Sequence, residues 1–190
     1  MTATLVQPYD PVWPSHFEQI KAFLESGLVD VDCMIEHVGS TAIPGMMAKP
    51  IIDLLIVVAA GTFPKVKGRL EALGYVHQGD LGIPGREAFD LVDAEERARL
   101  HKHYPYVCEE GVQELRKQLA FRNFMRQSSE WREKLSRLKR ELCVKHSNDR
   151  QAYMDGKADL VEEITKLAMG CAEQMHAEAP SREARDGDKL

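Results

Sequence analysis

The run from Ile51 to Val58 constrains this chain more than any other segment. Its residues are β-branched or leucine at every position but one, so no alternation separates a wet face from a dry one. Such a segment reads as a central strand buried on both faces, which requires layers packed over each side of its sheet. A membrane span would take about twenty apolar residues, and this run is shorter and broken by Asp53. A carboxylate without a partner is costly inside an apolar strand. Asp53 is therefore expected to meet a bound cation, a backbone donor or Lys49.

The flanking segments place this strand in an α+β layout. Trp13 to Leu24 carries Phe17, Ile20 and Leu24 on one stripe and reads as a helix stopped by Gly27. Val31 to Val38 alternates as a strand and ends abruptly at Gly39-Ser40-Thr41. Thr62 and Pro64 open a helix that runs to Leu73 and closes at Gly74. Shorter strands are expected at Tyr75 to His77, Ala88 to Val92 and Tyr104 to Cys108. Beyond Gly111 the period changes, and Val112 to Met125, Ser129 to Cys143 and Asp149 to Met169 read as three helices. Leu135, Leu138 and Leu142 should form one buried stripe. Strands fill the first half and helices the second, as expected of a mixed sheet with helices packed on it. One domain over residues 1–170 is expected, with a flexible tail over residues 171–190, because Ala172 to Leu190 is Glu-, Ala- and Arg-rich and poor in large apolar residues.

Charge and cysteine usage narrow the class. The net charge of −5 argues against bulk nucleic-acid binding and leaves nucleic acid a less favoured partner. From Val112 to Lys145, however, ten Lys or Arg stand against four Glu, and a cationic helical face suits a smaller anion. Cys33, Cys108, Cys143 and Cys171 form no C-x-x-C pair, so a zinc knuckle is not expected and free thiols in a reducing cytoplasm are. Met1 to Tyr9 shows no basic and apolar secretory pattern.

The chemistry-bearing candidates lie around Asp53. A strand that ends in Gly39-Ser40 presents backbone N–H groups and a hydroxyl where glycine permits close approach of a phosphate. Thr41 adds a second hydroxyl. Magnesium prefers carboxylate oxygens together with substrate phosphates, which makes Asp53 the candidate metal ligand and catalytic carboxylate. Lys49 can neutralise a phosphate as a point charge, and Arg86, after the Gly82-Ile83-Pro84-Gly85 turn, can present its fork. His103 is a candidate base or ligand beside a strand. Arg122, Lys139, Arg150 and Lys157 recur among apolar helix positions, where most cations only snorkel to water.

Glu36-His37-Val38-Gly39-Ser40-Thr41, then Pro44-Gly45, then Lys49-Pro50-Ile51-Ile52-Asp53 strongly resembles the signature of the GrpB family. The resemblance continues through Gly82-Ile83-Pro84-Gly85-Arg86, Leu119-Ala120-Phe121-Arg122-Asn123-Phe124 and Asp149-Arg150-Gln151-Ala152-Tyr153, from Tyr9 to about Ile164. It implies a nucleotidyltransferase-like fold, a nucleotide or phosphorylated metabolite as ligand, and nucleotidyl transfer with Mg2+ as the activity. Val38-Gly39-Ser40 and Asp53 fit the first parts of the superfamily pattern; with the candidates above, Gly39, Ser40, Thr41, Lys49, Arg86 and His103 are expected to bind substrate and Asp53 the metal. The departure is Leu55, where the superfamily pattern has a second carboxylate, and one carboxylate does not make a two-metal clamp. Glu36, Asp90 or Glu109 would have to supply the missing oxygens. The alternative is a non-catalytic binding module that kept the phosphate pocket and lost the metal pair.

Overall fold

The computed structural model describes residues 5–147 and 149–178. Strand β1 (Cys33–Val38) pairs antiparallel with β2 (Ile52–Val58), and β2 pairs parallel with β5 (His103–Glu109). Strands β4 (Glu87–Leu91) and β3 (Tyr75–Gly79) complete an antiparallel edge, giving the order β1-β2-β5-β4-β3. The parallel pair forces a long crossover, and the chain spends it on helix α2 (Phe63–Ala72), the β3–β4 hairpin and the short helix α3 (Ala94–Arg99).

The β2 run behaves as its composition requires, because each of its faces has its own apolar layer. Ile52, Leu54, Ile56 and Val58 pack under helix α1 (Trp13–Gly27) and α2, against Trp13, Phe17, Ile20, Leu24, Val66 and Leu70. Leu55 and Val57 face the other way, onto Val38, Cys108 and Leu115 of helix α4 (Gln113–Gln127). Asp53 belongs by strand alternation to this second face, at the end of the strand that α4 leaves uncovered.

The helical half packs as α4, α5 (Ser129–Lys145) and α6 (Arg150–Glu178). Leu135 and Leu142 are buried and Leu138 is half-buried between them, so the expected stripe is covered by neighbouring helices rather than solvent. Gly156 permits the approach of α6, since a Cβ there would run into the Leu142 side chain. Two boundaries differ from expectation. Helix α3 has no buried residue and therefore no apolar stripe to announce it; it starts where Asp93 accepts from the Glu96 N–H, a side-chain cap. Helix α6 runs to Glu178, well past the expected end near Met169, because Ala172, Glu173 and Gln174 are strong helix formers and Gly170 alone does not stop it. The expected flexible tail thus begins as helix, and residues 179–190 lie outside the described residues. Among the described residues no helix is long and apolar enough to cross a membrane.

Candidate functional site

The antiparallel pairing of β1 and β2 sets Val38 opposite Asp53, so the chain leaving β1 turns directly over the carboxylate. Gly39 makes that turn at φ 69° and ψ −171°, a region that only glycine adopts freely. A Cβ at Gly39 would fall on the Asp53 carboxylate and lie 3.0 Å from the Asp53 Cβ. Ser40–Ala42 then forms a single 3-10 turn. The result is one pocket of about 220 Å3, walled by Ser40, Lys49 and Asp53 from the sheet half and by Lys139, Arg150 and Lys157 from the helical half. Tyr104 and Tyr106 of β5 and Tyr153 of α6 supply its rings.

Lys139 is the least expected member of this site. It lies on the inner stripe of α5, four residues from Leu135 and three from Leu142, and is only 2% exposed. Its ammonium donates to Ser40 Oγ at 2.6 Å and to the Met47 carbonyl at 2.9 Å. Burial depresses its pKa to about 7; the neighbouring Lys157 and Lys49 push the same way, and Asp53 opposes them. Lys157 and Lys49 are depressed too, in both cases by burial first. Asp53 is raised to about 6 because burial outweighs Arg86, the Tyr106 hydroxyl, Lys157 and Lys139, which favour its charged form. The Tyr106 hydroxyl reaches Asp53 Oδ1 only at 3.5 Å, a weak bond. Lys49 forms no ion pair with Asp53 among the described residues; its ammonium sits 4.7 Å from the Tyr153 ring centroid.

Several candidates are placed elsewhere or are already engaged. Thr41 borders the pocket, but its hydroxyl donates to the Ile51 carbonyl and accepts from His37, so it braces the turn. Arg86 is outside the wall, with its guanidinium 4.4 Å from the Tyr106 ring centroid and its Nε buried without a partner. His103 does not join the site. It points into the α1 side of the sheet, opposite to Tyr104, where Nδ1 donates to the His101 carbonyl at 2.7 Å and Nε2 accepts from the Tyr75 hydroxyl at 2.5 Å. Burial lowers its pKa, as suits a neutral structural imidazole.

The search for a second carboxylate is equally clear. Leu55 is fully buried beneath α4, and Glu36, its cross-strand partner, is bound by Arg122 at 2.5 Å. Glu109 is at the far end of β5, accepting from the Gly61 and Phe63 N–H groups. Asp90 does not line the pocket. Among the described residues Asp53 is the only carboxylate in the wall, and no three His, Cys, Asp or Glu gather to hold a metal. This donor set does not fit a two-metal clamp. Four cations around one carboxylate instead give the wall an excess of positive charge.

Comparison with known proteins accounts for this arrangement at the level of family and fold. The sequence model of the GrpB protein family matches residues 4–167. The chain belongs to the GrpB family. A UPF0157 protein of Halalkalibacterium halodurans is 34% identical over 164 residues, 84% of this chain and 80% of that one. The glutamate-rich protein GrpB of Alkalihalophilus pseudofirmus is 31% identical over 80% of this chain and 88% of its own length. The crystal structure of the conserved protein GrpB from Enterococcus faecalis superposes with a TM-score of 0.76 at 29% identity, covering 88% of this chain and 99% of that one. A crystal structure of the Cid1 poly(U) polymerase bound to MgATP matches with a TM-score of 0.51 at 12% identity, over 73% of this chain and 43% of that one. That last likeness is one of fold alone, and it makes this GrpB architecture nucleotidyltransferase-like.

Proposed function

We propose that this GrpB protein binds the phosphate of a nucleotide or phosphorylated metabolite in the pocket between its sheet and helices α5 and α6. The observation that carries the reading is Lys139. Burying an ammonium costs free energy unless it is compensated, and among the described residues the one carboxylate in the wall is shared with three further cations. A dianion entering beside Ser40 would supply the missing compensation and return the depressed lysine to its charged form. The free cysteines agree with a reducing, cytoplasmic setting, where phosphorylated metabolites are at hand.

A second reading, nucleotidyl transfer with Mg2+, is supported by the Gly39 main chain packed against Asp53 at the strand end. In this chain the protein would offer the ion Asp53 alone, so magnesium would have to arrive on the ligand's own phosphates, as it commonly does. Thermal melting of the wild type and Asp53→Asn with nucleoside triphosphates and sugar phosphates, with and without Mg2+, separates the two readings. A ligand that binds only the native state raises its melting temperature. Binding by the cations predicts a shift that needs no Mg2+ and persists or grows in Asp53→Asn, where a repulsive carboxylate is gone. A shift that requires Mg2+ and is lost in Asp53→Asn favours transfer. No shift with any phosphate compound refutes both.

A further inference from the structure

The aromatic rings of the pocket decide what part of a ligand it can read. A nucleobase is held by stacking on an exposed ring face, worth about 1–3 kcal/mol per base. Here protein cations already stand over those rings. Lys49 and Lys157 lie 4.7 and 5.8 Å from the Tyr153 centroid, Arg86 lies 4.4 Å from that of Tyr106, and Lys102 lies 5.8 Å from that of Tyr104. Tyr153 is 3% exposed, with its other contacts among Val6, Leu142 and Cys143. Tyr153 therefore offers no free platform for a base, and Tyr106 and Tyr104 each already carry a protein cation.

Size and charge point the same way. A cavity of 220 Å3 falls below the roughly 300 Å3 at which pockets begin to enclose a drug-sized ligand. With Lys139 returned to its charged form, Lys49, Lys139, Arg150 and Lys157 against Asp53 leave three positive charges unmatched in the wall. A single phosphate monoester brings only about −1.5 to −2 at neutral pH, so the wall is matched by two or more linked phosphates.

We propose that the pocket recognises a condensed phosphate chain by its charge and leaves any attached nucleoside unread. The inference rests on the phosphate-binding reading above and narrows it to pyrophosphate or tripolyphosphate, either free or as the tail of a nucleotide. The four cations set the affinity, and Tyr153 holds Lys49 and Lys157 in place.

Isothermal titration of the full chain in magnesium-free, low-salt buffer tests this with inorganic phosphate, pyrophosphate, tripolyphosphate, ATP, GTP, CTP and UTP. Tripolyphosphate and the four nucleotides are expected to agree within about threefold, and inorganic phosphate to bind at least about tenfold more weakly, a 1.4 kcal/mol difference. One nucleotide binding about thirtyfold more tightly than tripolyphosphate would overturn base indifference while leaving phosphate binding intact. Inorganic phosphate binding as tightly as tripolyphosphate would overturn the chain-length requirement. Silence from all seven compounds would instead remove the parent reading. Tyr153→Leu adds an independent arm: tripolyphosphate and nucleotides should weaken together, whereas loss confined to nucleotides means that the ring stacks a base. The wild-type series stands on its own if that variant does not fold.

Discussion

Lys139→Met should make the ligand-free protein more stable while removing its anion affinity. With its pKa held near 7 instead of 10.5, the lysine costs the folded state about 4 kcal/mol at pH 7, at about 1.4 kcal/mol per pH unit. Methionine keeps most of the volume but leaves the Met47 carbonyl without its donor, a loss of about 1–3 kcal/mol. The net expectation is a gain of about 2 kcal/mol, or about 4–8 °C in melting temperature for a chain of this size. The sign of the pH dependence follows from proton counts. Between about pH 7 and 10.5 the unfolded chain binds a proton that folded Lys139 has released, so the wild type gains stability as pH rises through this window. The advantage of the variant is present at pH 7 and shrinks by about 1.4 kcal/mol per pH unit, so the two melting curves should meet near about pH 9 and cross above it. Melts followed by circular dichroism from pH 6 to 10, in phosphate-free buffer, measure both effects. A variant that melts below the wild type at pH 7, with a gap constant across the series, would refute the reasoning. Lys139 would then be an anchor whose hydrogen bonds outweigh the burial of its charge.

Two other substitutions probe the frame around the pocket. Gly39→Ala places a side chain at positive φ and against Asp53, so it should cost about 1–3 kcal/mol and weaken tripolyphosphate binding, checked by chemical denaturation and titration. If the alanine variant binds as the wild type does, the contact between the turn and Asp53 does not shape the site. Tyr75→Phe strips His103 Nε2 of its donor and should lower stability by about 1–3 kcal/mol with no change in anion affinity. A change in affinity there would return His103 to the functional set.

The sheet half of the site was legible because its geometry is local. A strand ending at Gly39-Ser40 and a run carrying Asp53 are separated by few residues, and an antiparallel pair of them leaves Val38 opposite Asp53. The two-faced burial of β2 was equally readable, since eight nearly continuous apolar positions have no other soluble home. What sequence could not give was the face on which each β5 residue lies. Alternation separates His103 from Tyr104, but only the packed structure says that Tyr104 meets the pocket and His103 meets Tyr75. The cations of the second half carried a weaker signal that was present nonetheless. Lys139 interrupts the apolar stripe between Leu135 and Leu142, and a lysine in such a stripe is either snorkelling or enclosed. Which of the two holds depends on what covers α5, and Gly156 brings α6 close enough to enclose it.

The bond from Lys139 to Ser40 spans 99 residues of chain, and this separation orders events during synthesis. The residues up to Glu109 can complete the sheet and its α1 layer before the lysine-bearing wall exists. Folding proceeds from the N-terminus as the ribosome adds about 5–20 residues per second, and long-range contacts come late. Ser40 and Asp53 therefore wait, through several seconds of elongation, for partners that α5 and α6 deliver. A chain terminated before Arg150 would keep its strands yet lack the α6 residues that cover Met125 and Leu135, leaving an apolar seam for chaperones to engage. Binding of the proposed anion would therefore require α6 to have been synthesised and docked.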